Sequence, residues 1–188
     1  PPTHGTATFD GIGRSGEPYA TNGRVSGVGD RLFSQCIDLS SYSVTDNFVL
    51  SFSLQPQGRG DSPEPADAFE VFFRTNSGTS DDFIRVLSVP GSKLTDFKTY
   101  ALTLDDSAYF LECYQISFQS KGSLSVPADH WHLDYVYLAP GRGLRDTSFR
   151  DVAPSAVLGP PIERYSAIPL QHFNLANNQQ GFSIEVGS

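Results

Sequence analysis

Apolar and polar residues alternate along Asn47–Gln55: Phe48, Leu50, Phe52 and Leu54 fall on one side, and Val49, Ser51, Ser53 and Gln55 on the other. Successive side chains of a strand point to opposite faces, so this period of two predicts a half-buried β-strand. Seven further runs have strand character: Ala7–Ile12, Arg31–Leu39, Ala68–Thr75, Asp82–Val89, Phe97–Leu104, Glu112–Gln119 and Trp131–Leu138. Each is rich in β-branched or aromatic residues and is bounded by Gly, Pro, Ser or Asp. The connectors Gly58–Pro65 and Asn76–Ser80 hold turn formers that would interrupt a helix, which disfavours βαβ crossovers. The prediction is an all-β fold, an antiparallel jelly-roll-like sandwich of eight strands.

The pattern changes after Leu138. Ala139-Pro140-Gly141-Arg142-Gly143 is a cluster of breakers, and Pro154, Pro160, Pro161 and Pro169 leave little uninterrupted period before Gly181. Residues 1–138 are therefore read as the sandwich and 139–188 as a Pro-rich extension that lies on it or leads toward a following domain. Phe149, Val152, Leu158, Ile162, Tyr165 and Phe173 would make an adhesive patch if exposed together, so some of them are expected to pack on the sandwich or a neighbour.

A chain of 188 residues can bury one main core. Its formal charge of -8, from 13 Lys+Arg against 21 Asp+Glu with no basic run, disfavours nucleic acid as a partner. No apolar stretch approaches the roughly 18–20 residues that a membrane helix needs, so membrane insertion is not expected. Pro-Pro-Thr-His at the N-terminus lacks the basic and apolar regions of a signal peptide, as in a mature or excised fragment.

Several residues invite chemistry. His130, His132 and Asp134 alternate along one strand and would share a face able to bind a transition metal; the plainer reading has Trp131, Leu133, Tyr135 and Tyr137 covering the core and the other face hydrogen-bonding its neighbours. Asp61, Glu64 and Asp67 are hard oxygen donors suited to Ca2+. Asp10 and Asp134 form the preferred metal pair, on the premise that first and last strands are adjacent, and such an ion would be structural. Arg59-Gly60-Asp61 spells an integrin-ligand tripeptide, but its glycine more plainly serves the turn.

No Gly-x-Ser-x-Gly elbow is present, and Gly13-Arg14-Ser15-Gly16 reads as a glycine-rich turn. Glu70 and Glu112 are the carboxylates to inspect for glycoside hydrolysis, which needs two of them about 5–9 Å apart across a cleft. Tyr19, Tyr42, Tyr109 and Tyr114 are the aromatics that could stack on a sugar ring, against a structural reading as core or core rim. Cys36 and Cys113 leave two outcomes open: a disulfide if their strands are neighbours, or two separate thiols.

Four segments in order, Gly60–Asp67, Asp129–Leu138, Asp146–Ala153 and Tyr165–Phe173, resemble large multidomain surface proteins of Bacteroidetes, among them gliding-motility-associated and type IX-secreted proteins. The likeness runs from about Ala7 to Phe173. It implies export, display at the cell surface and a non-enzymatic role in architecture, adhesion or movement. Leu133-Asp134-Tyr135-Val136 is also similar to the closing strand of MAM-like and carbohydrate-binding jelly rolls, where an Asp often helps to hold structural calcium.

The sequence thus predicts a non-catalytic, extracellular structural or adhesion module, with a carbohydrate-binding module as the alternative. The implied partners are neighbouring domains of the same polypeptide, surface glycans or cell-surface proteins.

Overall fold

A computed structural model of the chain describes residues 6–21, 25–75, 83–141 and 182–185. Nine strands are present among them: β1 (Ala7–Phe9), β2 (Ser26–Ser34), β3 (Phe48–Pro56), β4 (Ala68–Arg74), β5 (Phe83–Pro90), β6 (Lys98–Thr103), β7 (Ile116–Ser123), β8 (Trp131–Pro140) and β9 (Phe182–Glu185). They form two antiparallel sheets, a four-stranded one in the order β1-β8-β3-β6 and a five-stranded one in the order β5-β4-β7-β2-β9. The expected sandwich is there, as two antiparallel sheets around one core. Single 3-10 turns at Val44–Asp46 and Ser107–Tyr109 are the only helical pieces among the described residues.

Alternation along β3 explains the core. Leu50, Phe52 and Leu54 are nearly or fully buried and meet Phe69, Val71 and Phe73 of β4, Phe118 of β7 and Trp131 of β8 in one cluster. Several aromatic pairs in it meet edge to face, as in Phe9 against Phe69 and Phe52 against Phe118, with centroids 4.9 and 5.4 Å apart. Each such side chain removed from water contributes about 1.5–3 kcal/mol, so this cluster is the main source of stability.

Two strands are offset from the sequence reading. β2 begins at Ser26 and ends at Ser34, and β7 runs from Ile116 to Ser123, so Ile37 and Tyr114 lie beyond their ladders and meet in an isolated bridge. That bridge sets Cys36 beside Cys113, and the two form a disulfide with Cα atoms 4.4 Å apart. Of the two outcomes left open, the chain takes the cross-link.

β8 holds the main correction. Ser53 faces Asp134 and Ser51 faces Tyr137, so three steps on β8 answer two on β3, and Tyr135 takes up the extra residue at φ +57°. Such a bulge reverses which residues face inward. Beyond it Val136 and Leu138 pack against the core, and Tyr137 shares the outer face with Ser51; Tyr135 and Tyr137 do not cover the core as the unbroken alternation suggested.

Of the extension at 139–188, Ala139 and Pro140 complete β8, and Phe182–Glu185 pair with Arg31–Ser34 of β2. Gly141 N–H donates to the Asn47 carbonyl at 2.8 Å, and the remainder of that expectation lies outside the described residues.

Candidate functional site

The loop between β3 and β4 is held by many local contacts. Gln57 N–H donates to the His130 carbonyl at 2.7 Å, His130 N–H donates to the Asp61 carbonyl at 3.2 Å, and Leu94 N–H donates to Gln57 Oε1 at 2.8 Å. The His130 and His132 rings lie so close that a Cβ on Gly60 or Gly58 would overlap them. The glycine of Arg59-Gly60-Asp61 therefore serves close approach to an imidazole. His132 is engaged on both ring nitrogens, with Thr8 Oγ1 at 3.1 Å and the Gln57 carbonyl at 3.4 Å, and burial holds its pKa below the usual value. A neutral histidine tying β1 to this loop fits the structural reading better than a metal ligand.

The loop then turns at Glu64–Asp67. Asp67 N–H donates to the Glu64 carbonyl at 2.9 Å, while Asp67 Oδ2 accepts from Glu64 N–H at 2.8 Å. This turn meets the segment after β7, where Asp129 Oδ2 accepts from Ser123 N–H at 2.8 Å. Gly122 makes room, since a Cβ there would overlap Asp129 Oδ2 and lie 2.9 Å from the Asp67 carboxyl carbon. Glu64, Asp67 and Asp129 consequently each present a carboxylate oxygen, all within 4.8 Å of one another.

Asp129 is only 5% exposed, and its Oδ1 is buried without a hydrogen-bond partner. Burial, reinforced by the Asp67 and Glu64 charges and opposed by the Ser123 N–H, pushes its pKa up to about 6. Burial and the Glu64 carboxylate also raise Asp67. Like charges gathered at a desolvated place are destabilising unless a cation joins them. Oxygens sharing one Ca2+ lie at most about 5 Å apart, twice the usual bond of 2.3–2.6 Å, and an all-carboxylate set suits calcium or magnesium better than zinc. The residues fit a hard divalent cation.

Metal-free protein has a definite pH response. A carboxyl whose folded pKa is raised contributes stability that is present below its unfolded value near 3.9 and is lost as pH rises through about 6. Compared with Asp129→Asn in chelator, the wild type should lose stability between about pH 4.5 and 7. Melting temperatures of the two at both pH values check this; a constant difference would remove the buried-charge argument.

The other nominated residues are dispersed. β1 does pair with β8, but Ala7↔Leu133 and Phe9↔Trp131 put Asp134 beyond one end of β1 and Asp10 beyond the other, roughly 13 Å apart at strand rise. Asp10 Oδ1 accepts from Ile12 N–H, and Asp134 Oδ1 accepts from Tyr135 N–H at the bulge. Asp61 joins Asp129 through a backbone bridge. Glu70 pairs in register with Gln119 inside β7, whereas Glu112 precedes that strand and is exposed, so they do not flank a cleft. Tyr109 and Tyr114 are buried, Tyr19 donates to Asp30 Oδ1 at 2.6 Å, and Tyr42 lies edge-on to Phe48. These four tyrosines make no common platform.

A different surface gathers aromatics. With Phe69, Val71 and Phe73 facing the core, Glu70, Phe72 and Arg74 of β4 face outward, beside Gln119 and Ser117 of β7 and Ser88, Arg85 and Phe83 of β5. Phe33 of β2 and Phe83 of β5 are separated by two strands, yet their rings meet at 5.8 Å and bridge this outer face. Glu70 is 4% exposed although it points away from the core. Its Oε2 accepts from Gln119 Nε2 at 2.8 Å, and its Oε1 accepts from Arg85 at 2.6 Å. Polar side chains thus sit low on the face between half-buried phenyl rings.

No family model matches the chain, and no curated protein does. Among solved structures, one described as Family 16 Carbohydrate Binding Module-2 is similar over 65% of this chain and 82% of its own, with 14% identity and a TM-score of 0.37. The similarity is distant and partial, and the residues themselves must carry any argument about function.

Proposed function

We propose that this chain is a non-catalytic, extracellular β-sandwich module that binds carbohydrate, with a calcium ion fixing the loops at one end. The observation that carries the binding reading is the outer face of the five-stranded sheet, where Phe33, Phe72 and Phe83 alternate with Glu70, Gln119 and Arg85. A sugar offers an apolar face for an aromatic ring and a rim of hydroxyls for fixed donors and acceptors, and this surface has both. Arg85 and Gln119 already take both Glu70 oxygens, so the carboxylate of this face is engaged by its neighbours and is not poised as a general acid.

Calcium would be held by Glu64, Asp67 and Asp129 and would offset most of their charge, joining the β3–β4 loop to the segment before β8. The Cys36–Cys113 disulfide supports an oxidising setting, in keeping with a jelly-roll-type module of a larger surface protein engaged in adhesion or gliding. Among the described residues no helix is long and apolar enough to cross a membrane.

Affinity electrophoresis against a panel of neutral and acidic polysaccharides tests the binding reading. The wild type should be retarded by at least one of them, and Phe72→Ala should weaken that retention roughly tenfold with its melting temperature still raised by calcium. A panel without retardation, under conditions where the protein is folded, would count against carbohydrate binding.

A further inference from the structure

The outer face of the five-stranded sheet has a charge opposite to that of the protein. Eight cationic side chains occur among the described residues, and four of them, Arg31, Arg74, Arg85 and Lys121, fall on this one face by register. On β2, β4, β5 and β7 the face carries one carboxylate, Glu70, while Glu185 pairs in the backbone with Arg31 at the β9 edge. The whole chain carries -8.

We propose that this face binds an acidic polysaccharide, one bearing carboxylate or sulfate groups. The proposal rests on the carbohydrate-binding reading above and narrows its ligand class by charge.

The cations differ in availability. Arg74 donates to Gln115 Oε1 at 3.0 Å and to Cys113 Sγ at 3.1 Å, which ties it to the disulfide end of the sheet. Arg85 is half-exposed and held by Glu70, which fixes one edge of its guanidinium and leaves its other donors to the surface. Arg31 and Lys121 are exposed; Arg31 lies in the same row as Glu70 and Gln119, and Lys121 lies two positions beyond Gln119 on β7. A guanidinium fork matches a planar carboxylate or an oxyanion in two parallel hydrogen bonds, while the ammonium of Lys121 adds a mobile point charge. Gln119, 8% exposed and fixed by Glu70, retains its amide oxygen for a sugar hydroxyl. A neutral glycan would use the rings and Gln119 but would leave the clustered cations unpaired.

Isothermal titration at fixed calcium tests the proposal with polygalacturonate, a sulfated galactan, neutral mannan and double-stranded DNA as probes. The variant is Arg31→Glu with Lys121→Glu; both side chains are exposed, so its melting temperature should match the wild type. The proposal expects the acidic glycans to bind best, binding to fall with added salt, and the variant to lose about tenfold or more. Mannan bound as tightly as the acidic glycans, with no loss in the variant, overturns the charge assignment and leaves carbohydrate binding standing. No glycan bound by the wild type overturns both. DNA bound as well as the glycans overturns the assignment to polysaccharide.

Discussion

Millimolar calcium should raise the melting temperature of the wild type by several degrees, leave Asp129→Asn unmoved, and reverse the order of the two proteins relative to chelator. Without the ion, the Asp129→Asn change removes one charge from the group with Glu64 and Asp67, and the new amide oxygen can still accept from Ser123 N–H. The variant should therefore be the more stable protein in chelator at pH 7. With the ion, the wild type gains RT ln(1 + [Ca2+]/Kd), about 2.7 kcal/mol at a hundredfold excess over Kd. For a chain of this size that corresponds to roughly 5–10 °C. Differential scanning fluorimetry of both proteins in chelator and in calcium gives the four temperatures needed. A wild type indifferent to calcium would remove the ion, and an equal response in Asp129→Asn would move it elsewhere.

Loss of the Cys36–Cys113 bond should cost about 4 kcal/mol. The cysteines are 77 positions apart, so the cross-link removes a large loop-closure entropy from the unfolded chain. The replacement Cys36→Ser with Cys113→Ser leaves the core untouched, because the bridge lies beyond the ends of β2 and β7 and next to the Ile37–Tyr114 contact. The expected fall in melting temperature is on the order of 10 °C. Denaturant unfolding of the oxidised protein and the double variant measures it, and a difference under about 1 kcal/mol would show that the cross-link adds little beyond the contacts around it.

Strand existence was legible in the sequence, since Phe48-Leu50-Phe52-Leu54 and its counterparts expose their period directly. Strand ends were less so. Ile37 and Tyr114 continue an apolar run past the last ladder bond, and the sequence does not distinguish an isolated bridge from one more strand residue. The bulge at Tyr135 left no mark either, because Tyr-Val-Tyr-Leu reads as apolar in both phases. β9 is short and follows a proline-broken segment.

The cation site was half legible. Glu64 and Asp67 stand in an acidic loop that invited calcium, but Asp129 lies 62 positions beyond Asp67 and reads as the flank of a His-Trp-His strand. The parallel bridge between Asp61 and Asp129, with the Gln57 N–H bond to the His130 carbonyl beside it, brings the segments together. For Asp10 and Asp134 the premise that β1 and β8 are adjacent holds, but nothing in the sequence gives the register that separates the two carboxylates. The aromatic face is not legible in the sequence, because Phe33, Phe72 and Phe83, which make it, stand in apolar strand runs and read as core residues.

β7 connects two fastenings of different chemistry. Cys113 stands three positions before its first residue and Asp129 is bonded to Ser123 at its last, with the eight residues of β7 covering roughly 25 Å at strand rise. At that distance the two act independently and their contributions add. The disulfide requires an oxidant, and the acidic cluster, on the proposed cation reading, requires a divalent ion. A reductant would then release one end of the strand and a chelator the other, each leaving its opposite fastened.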